Sequence, residues 1–277
     1  MLVLRRHRPF ALVCLFCLIT APLSAGAHEF WIQPLQSRVA AGEEIVAHMR
    51  LGQDFKGDIY PFVPQRSNGA WVVDADGTRP AGARLGDIPA FTETAGPPGL
   101  HILAYHSTAS RLSYKEPGKF AAFLEAEGLQ WALADHQARG LSETGFDEAF
   151  SRCAKALVQS GDGDGDGGGS DTVIGMPIEL VADANPYTLP AGATDLPVRL
   201  LWQDAPMADA QIKIFRKNGA LEVTTVRTGP DGGALIPLGD GGRFLLSAVQ
   251  IIPWDELPKD AWHSYWASLT FEIKPAE

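Results

Sequence analysis

The sequence predicts a mostly β chain of two β-sandwich-like halves, the first carrying a short helical insertion. Three observations predict it. Apolar and polar residues alternate over several short runs, as in strands with one buried face. Turn chemistry separates those runs, most sharply at Asn218-Gly219 and Pro230-Asp231-Gly232. Helical spacing of apolar residues is confined to about 117–139.

Each element follows from its residues. Over Glu44 to Arg50, Ile45, Ala47 and Met49 share one face and Val46, His48 and Arg50 the other, which reads as a half-buried strand. Ala70 to Asp74 and Leu100 to Ser107 read as further strands between Gly, Pro and Asp clusters. Phe120, Phe123 and Leu124 then stand at i, i+3 and i+4, with Pro117 suited to a first helical turn and Gly128 closing it. Leu129 to Arg139 reads as a second short helix ended by Gly140. Phe146 to Val158 reads as helix passing into strand, with no residue that marks the switch. In the second half, Val198 to Trp202, Gln211 to Arg216, Leu221 to Thr228, Ala234 to Leu238, Phe244 to Ile252 and Trp266 to Ile273 are strands. Such a set without a helix implies a small sandwich.

The chain has 277 residues, with 23 Lys and Arg against 33 Asp and Glu. Its start reads as an export signal over residues 1–27. Arg5, Arg6 and Arg8 form the positive region, Phe10 to Leu18 the apolar run, and Ala25-Gly26-Ala27 the cleavage site. Lipid attachment at Cys14 or Cys17 is the rival, but Val13 and Phe16 stand where a small residue is usual. Cleavage after Ala27 leaves 250 residues beginning at His28. The leader holds three of the basic residues and no acid, so the remainder carries −13. That balance argues against nucleic acid and anionic membranes as partners and suits a soluble protein, or one that meets cations, and the export signal implies a periplasmic location. No later stretch is apolar enough to span a membrane. Only Cys153 remains after cleavage, so no intrachain disulfide is expected, and it reads as a buried small side chain rather than a reactive thiol.

The chain divides at a Gly/Asp-rich run over 161–173. An N-terminal β-rich domain (28–160) precedes it and a C-terminal small sandwich (174–277) follows. The run reads as a flexible linker or loop. A calcium loop is the alternative, since Asp162, Asp164, Asp166 and Gly167 match the opening of an EF-hand. The match lapses at Val173, where a bidentate Glu is needed.

His28 carries the sharpest chemistry. Once freed as the first residue, its α-amine and its own imidazole nitrogen can close on one ion. Such nitrogen donors favour divalent transition metals, with copper the tightest. A second ligand is needed. His48 lies on the more polar face of its strand, and His263 lies in the aromatic stretch Trp262-His263-Ser264-Tyr265-Trp266, just before the last strand. These two are the candidate partners. His101 and His106 are five apart, which on a strand puts them on opposite faces. His136 reads as a surface residue near a helix C-terminus. Trp254, Trp262, Tyr265 and Trp266 read as core or interface, with a sugar-stacking face as the alternative. No nucleophile elbow, zinc-protease motif, phosphate loop or Cys-x-x-Cys is present, so no catalytic residue is assigned.

Four stretches carry a resemblance: Ala27-His28-Glu29-Phe30-Trp31-Ile32, Gly52-Gln53-Asp54-Phe55, Ala154-Lys155-Ala156-Leu157-Val158 and Trp266-Ala267-Ser268-Leu269-Thr270-Phe271-Glu272. Together they resemble the family of domain of unknown function 4198, often labelled the periplasmic component of a nickel or cobalt transport system. The second half is also similar to carboxypeptidase-regulatory, transthyretin-like and immunoglobulin-like sandwiches, a likeness of fold that carries no function. The resemblance and His28 together imply a metal-binding accessory protein holding Cu, Ni or Co and working with a membrane metal transporter. Two alternatives stand beside it. One is a sandwich module that binds a protein or glycan without metal. The other is a copper oxidative enzyme of the histidine-brace type, which would need a second His, an open axial position and a nearby Tyr or Phe.

Overall fold

The structure is a computed structural model and describes residues 28–161 and 169–274. The expected leader and the residues of the calcium alternative, Asp162, Asp164, Asp166 and Gly167, lie outside the described residues. The chain is mostly β. Its strands are β1 (Glu29–Pro34), β2 (Arg38–Val39), β3 (Glu44–Gln53), β4 (Lys56–Tyr60), β5 (Ser67–Asp74), β6 (Gly77–Pro80), β7 (Phe91–Thr94), β8 (Gly99–Ser107), β9 (Ser110–Tyr114) and β10 (Phe146–Ser160). Past the Gly/Asp-rich run come β11 (Ile178–Ala182), β12 (Asp195–Trp202), β13 (Ala205–Pro206), β14 (Gln211–Asn218), β15 (Ala220–Arg227), β16 (Gly233–Pro237), β17 (Gly242–Pro253) and β18 (Asp260–Ile273). Helices α1 (Lys119–Ala126) and α2 (Trp131–Ala138) fall within the expected insertion. None of the described helices is long and apolar enough to cross a membrane.

The two halves form two sandwiches that share a middle sheet. That sheet runs β15-β14-β17-β18-β10-β8-β5-β6, with β2 and β9 also pairing with β10. Its centre is the parallel pairing of β10 with β18, which joins strands from either side of the Gly/Asp-rich run. A four-stranded sheet of β1, β3, β4 and β7 covers one part of it, and another of β11, β12, β13 and β16 covers a different part. The division at 161–173 is thus a division of the chain and not of the hydrophobic core. One core cluster takes Leu100, Ile102, Cys153 and Leu157 from before the run and Ile178, Leu200, Ile214, Leu246 and Leu269 from after it. A second holds Phe30, Ile32, Ile45, Met49, Phe91 and Leu103 against Ala154, Ala156 and Val158. In a third, Phe120, Phe123 and Leu124 of α1 cover Trp262 and Trp266 of β18.

This layering explains what periodicity missed. β10 is strand throughout, with no helical portion. It shows no alternation because both faces are covered: Ala154, Ala156 and Val158 face one core, Cys153 and Leu157 the other. β11, all five residues buried, lacks alternation for the same reason. β18 begins at Asp260, so His263 lies inside the last strand and not before it. His136 is buried rather than on the surface. It sits against Phe120, Phe146 and Trp262, accepts a hydrogen bond at Nδ1 from Trp262 Nε1 at 3.0 Å, and has Nε2 2.9 Å from the carbonyl of Ser142.

Across the shared sheet, Lys155 of β10 is fully buried. Its ammonium lies 2.6 Å from Asp171, 3.0 Å from Glu179 and 3.0 Å from the carbonyl of Thr172. Both carboxylates also accept backbone N–H groups, from Ala182 on Asp171 and from Ile174, Gly175 and Met176 on Glu179. A buried charge with this many partners avoids the penalty of an isolated one.

Candidate functional site

His28 stands immediately before β1 and is exposed, whereas Glu29, Phe30, Trp31 and Ile32 behind it are buried. The strand is held on both sides. Phe30 and Ile32 enter one core, Trp31 packs against Phe55, Phe215 and Leu245, and Thr270 Oγ1 donates to the carbonyl of Ile32 at 2.6 Å. The buried strand therefore holds the exposed His28 at one place. That place is the rim of an open cleft whose walls include Arg111, Tyr114, Lys115, Phe150 and Arg152. Arg152 Nη2 donates to the His28 carbonyl at 3.2 Å, and its guanidinium lies over the rings of Phe30 and Phe150 at 5.7 and 4.7 Å. Burial pulls the Arg152 pKa down to about 10. The His28 imidazole has no hydrogen-bond partner among the described residues.

The walls are positive, and part of that charge is neutralised. Arg111 bridges to Asp260 at 3.1 Å and to Glu256 at 3.3 Å, and Lys119 lies 3.8 Å from Glu116. Behind the wall, the Tyr114 hydroxyl donates to Glu148 at 2.7 Å, and burial raises the Glu148 pKa to about 7. Glu29, next to His28, is also raised to about 7 by burial.

The other two expected ligands lie elsewhere. His48 on β3 is opposite Gln33 of β1, five residues along from His28. At the strand rise of ~3.4 Å per residue that separates them by roughly 17 Å. The His48 Nδ1 is buried without a partner, and burial together with the Arg50 charge lowers its pKa. His263 is buried on β18, with Nε2 2.9 Å from Ser151 Oγ, its ring stacked 4.0 Å from Tyr265 and edge-on to Trp254. Burial lowers its pKa to about 4. Ser151 and Arg152 are neighbours on β10 and so point to opposite faces of the sheet. His263 therefore belongs to the face away from the one that anchors His28. Among the described residues no group of three or more His, Cys, Asp and Glu is placed to hold a metal ion. His28, His48 and His263 are therefore not brought together.

The remaining candidates are structural. His101 is buried, with Nε2 accepting the backbone N–H of Gly96 at 2.9 Å, and His106 lies 3.4 Å from Asn68. The Cys153 thiol is buried and pushed up to about 12 by that burial, which removes it as a nucleophile. The aromatic stretch is split by alternation: Trp262 and Trp266 lie in the core under α1, while Tyr265 stacks on His263 and meets Trp202. Trp262 and Trp266 are thus core residues, while Trp254, Tyr265 and Trp202 stay half-buried around His263. Sequence reasoning missed the Lys155 triad, although a Lys within an apolar run was its visible signal. It also missed a cationic pocket between β3, β4, β14 and β17, whose residues are scattered along the chain.

The four stretches that carry the family resemblance meet in space. Trp31 contacts Phe55 at 5.6 Å, Thr270 is bonded to Ile32, and Lys155 is paired in register with Leu269. A family model described as domain of unknown function (DUF4198) matches residues 25–251. Comparison with curated proteins finds no match. Among solved structures, a biofilm associated protein BSP domain shares 11% identity at a TM-score of 0.20, covering 89% of this chain and 30% of that one. The D0-D1 domain of Intimin shares 12% at a TM-score of 0.18, covering 87% of this chain and 97% of its own. Likenesses this distant carry no argument about function.

Proposed function

The chain belongs to the DUF4198 family, and from that premise we propose that it is an exported metal-binding accessory protein. It holds a divalent Cu, Ni or Co ion on His28 and passes it to or from a membrane metal transporter. The observation that carries this reading is the position of His28: an exposed imidazole without a partner, fixed at a cleft rim by a strand buried on both faces. With the leader removed after Ala27, the amine and the ring nitrogen of this residue form a chelate of two nitrogens. The open donor set and the positive cleft wall suit brief holding and transfer rather than storage.

Neither His48 nor His263 supplies the second ligand that the sequence reading called for, so the proposal rests on the two nitrogens of His28, with the other positions left to water or a transporter donor. The histidine-brace enzyme, which needs a second imidazole beside the first, draws no support from their positions. The glycan-binding alternative keeps only the half-buried Trp254 and Tyr265 of its four aromatics, since Trp262 and Trp266 are buried. Calorimetric titration of correctly processed protein with Cu(II) and Ni(II) tests the proposal. His28→Ala and acetylation of the terminus should each weaken binding at least about tenfold, a change of roughly 1.4 kcal/mol. His48→Ala and His263→Gln should leave it unchanged. Equal affinity in the His28 variant, or a purified protein that begins at another residue, overturns the reading.

A further inference from the structure

A second pocket lies beside β1, on the face that carries Trp31 and Gln33, and its walls are cationic. The hairpin between β3 and β4 turns through Asp54 and Phe55, both left-handed, with φ of 54° and 53°. A two-residue turn of this hand suits the twist of the strands, but a Phe there is strained. Burial holds it: the Phe55 ring sits 5.6 Å from Trp31, in a cluster with Phe215 and Leu245. The turn so anchored sets Arg50 and Lys56 beside the ends of β14 and β17. There Lys217 and Arg243 are direct cross-strand partners. Like charges in that relation repel. Gln33, Phe55 and these four cations line an open pocket of about 270 Å³.

None of the four makes an ion pair with a described residue, in a chain where acids outnumber bases 33 to 23. Neighbouring arginines do pair: Arg216 with Glu222, Arg227 with Asp209 and Arg199 with Asp183, each at 2.6 Å. The carboxylate in register with Arg243 is Glu272, and it does not approach within bridging distance. Arg50 Nη1 donates to the carbonyl of Gly57 at 2.8 Å, which fixes the guanidinium, while its Nε is buried with no acceptor. The Gln33 Oε1 is taken by Trp31 Nε1 at 3.3 Å, which leaves the amide nitrogen as a donor.

The geometry points to a binding site for a phosphate or phosphomonoester dianion among Gln33, Arg50, Lys56, Lys217 and Arg243. Convergent guanidinium, ammonium and amide donors suit a tetrahedral oxyanion. An anion also relieves the Lys217–Arg243 repulsion. Phe55 offers an apolar wall to an attached organic group, and the pocket is larger than a bare phosphate needs. The dianion is either free in solution or the headgroup of a lipid.

The test uses the full processed protein at constant ionic strength. Inorganic phosphate and glycerol 1-phosphate are titrated by calorimetry, and vesicles of phosphatidylcholine with and without 30% (about a third) phosphatidic acid are co-sedimented. Binding that weakens at least tenfold in Lys217→Gln/Arg243→Gln, with no loss of thermal stability, supports the site. So does a similar loss in Arg50→Gln that Arg50→Lys partly restores. Binding of the soluble dianions assigns a free ligand, and capture by the acidic vesicles alone assigns a headgroup. No binding to either at millimolar concentration, or binding that the double variant leaves intact, overturns it.

Discussion

Lys155 and Arg50 are both basic side chains set among strands, and their surroundings are opposite. Lys155 is fully buried and meets two carboxylates and a carbonyl within 3.0 Å, and those carboxylates are themselves bonded to backbone N–H groups. Among the described residues Arg50 donates only to the carbonyl of Gly57, and the charges that line the pocket with it, Lys56, Lys217 and Arg243, have its own sign. The first arrangement is closed within the chain and ties β10 to the segment after the Gly/Asp-rich run. The second is left open to something outside the chain. Where positive charge serves the fold it is neutralised internally, and where it is left unmatched the fold bears a repulsion that a ligand can remove.

The largest expected effect comes from opening the closed arrangement. Lys155→Met leaves Asp171 and Glu179 buried without their cation and should lower stability by about 3–5 kcal/mol, read from urea unfolding. Adding Glu179→Gln to that variant should recover part of the loss. If the single variant costs no more than an exposed Lys would, the triad is not what joins the halves.

Next come two buried groups with opposite pH signs. His263 has a folded pKa near 4 against 6.5 unfolded. The unfolded chain takes up that proton first, so stability present above pH 6.5 should fall as pH drops towards 4. Glu29 has a folded pKa near 7 against 4.5. The folded chain keeps its proton longer, so stability should fall as pH rises from 4.5 to 7. Each slope amounts to at most ~3 kcal/mol. His263→Gln should flatten the acid limb, and Glu29→Gln should stabilise at pH 8 while changing little at pH 4. Thermal melts across pH 4–8 read both.

A smaller effect tests how the open pocket is held. A Cβ on Gly57 would lie 2.7 Å from Cη2 of Trp31 and equally close to the backbone of Leu51. Gly57→Ala should therefore cost about 1–3 kcal/mol in chemical denaturation and weaken anion binding through the displaced hairpin. The smallest expected change lies in the pocket itself. Lys217→Gln or Arg243→Gln should shift stability by less than about 0.5 kcal/mol, and towards higher stability, because each removes a repulsion. A clear destabilisation would mean these charges are paired in solution, and the contrast with Lys155 would disappear.

Legibility in the sequence followed burial on one face. β3 was readable because Ile45, Ala47 and Met49 alternate with half-exposed partners, and the β14–β15 hairpin because Asn218-Gly219 tolerates the turn. α1 was readable from Phe120, Phe123 and Leu124, all buried. β10 and β11 were not, since both of their faces are covered and periodicity vanishes. The resemblance to the family was legible and correct. Of the three candidate ligands only His28 is exposed, and the reading proposed for it depends on its place after Ala27. His48 and His263 looked equivalent as partners because a lone histidine carries no record of which face of which sheet it will occupy.

By itself, then, the sequence determined the β class, the helical insertion, the excess of acid and the family. These depend on local period, turn residues and composition, which a chain carries whatever it touches. Only the tertiary structure decided that β10 would pair with β18 across the Gly/Asp-rich run, that His136 and His263 would be buried, and that Arg50, Lys56, Lys217 and Arg243 would meet without a carboxylate. Those outcomes depend on strand pairing between distant segments. The energy of a charge is set by its neighbours in space, and neighbours in space are not written at any fixed spacing in the chain.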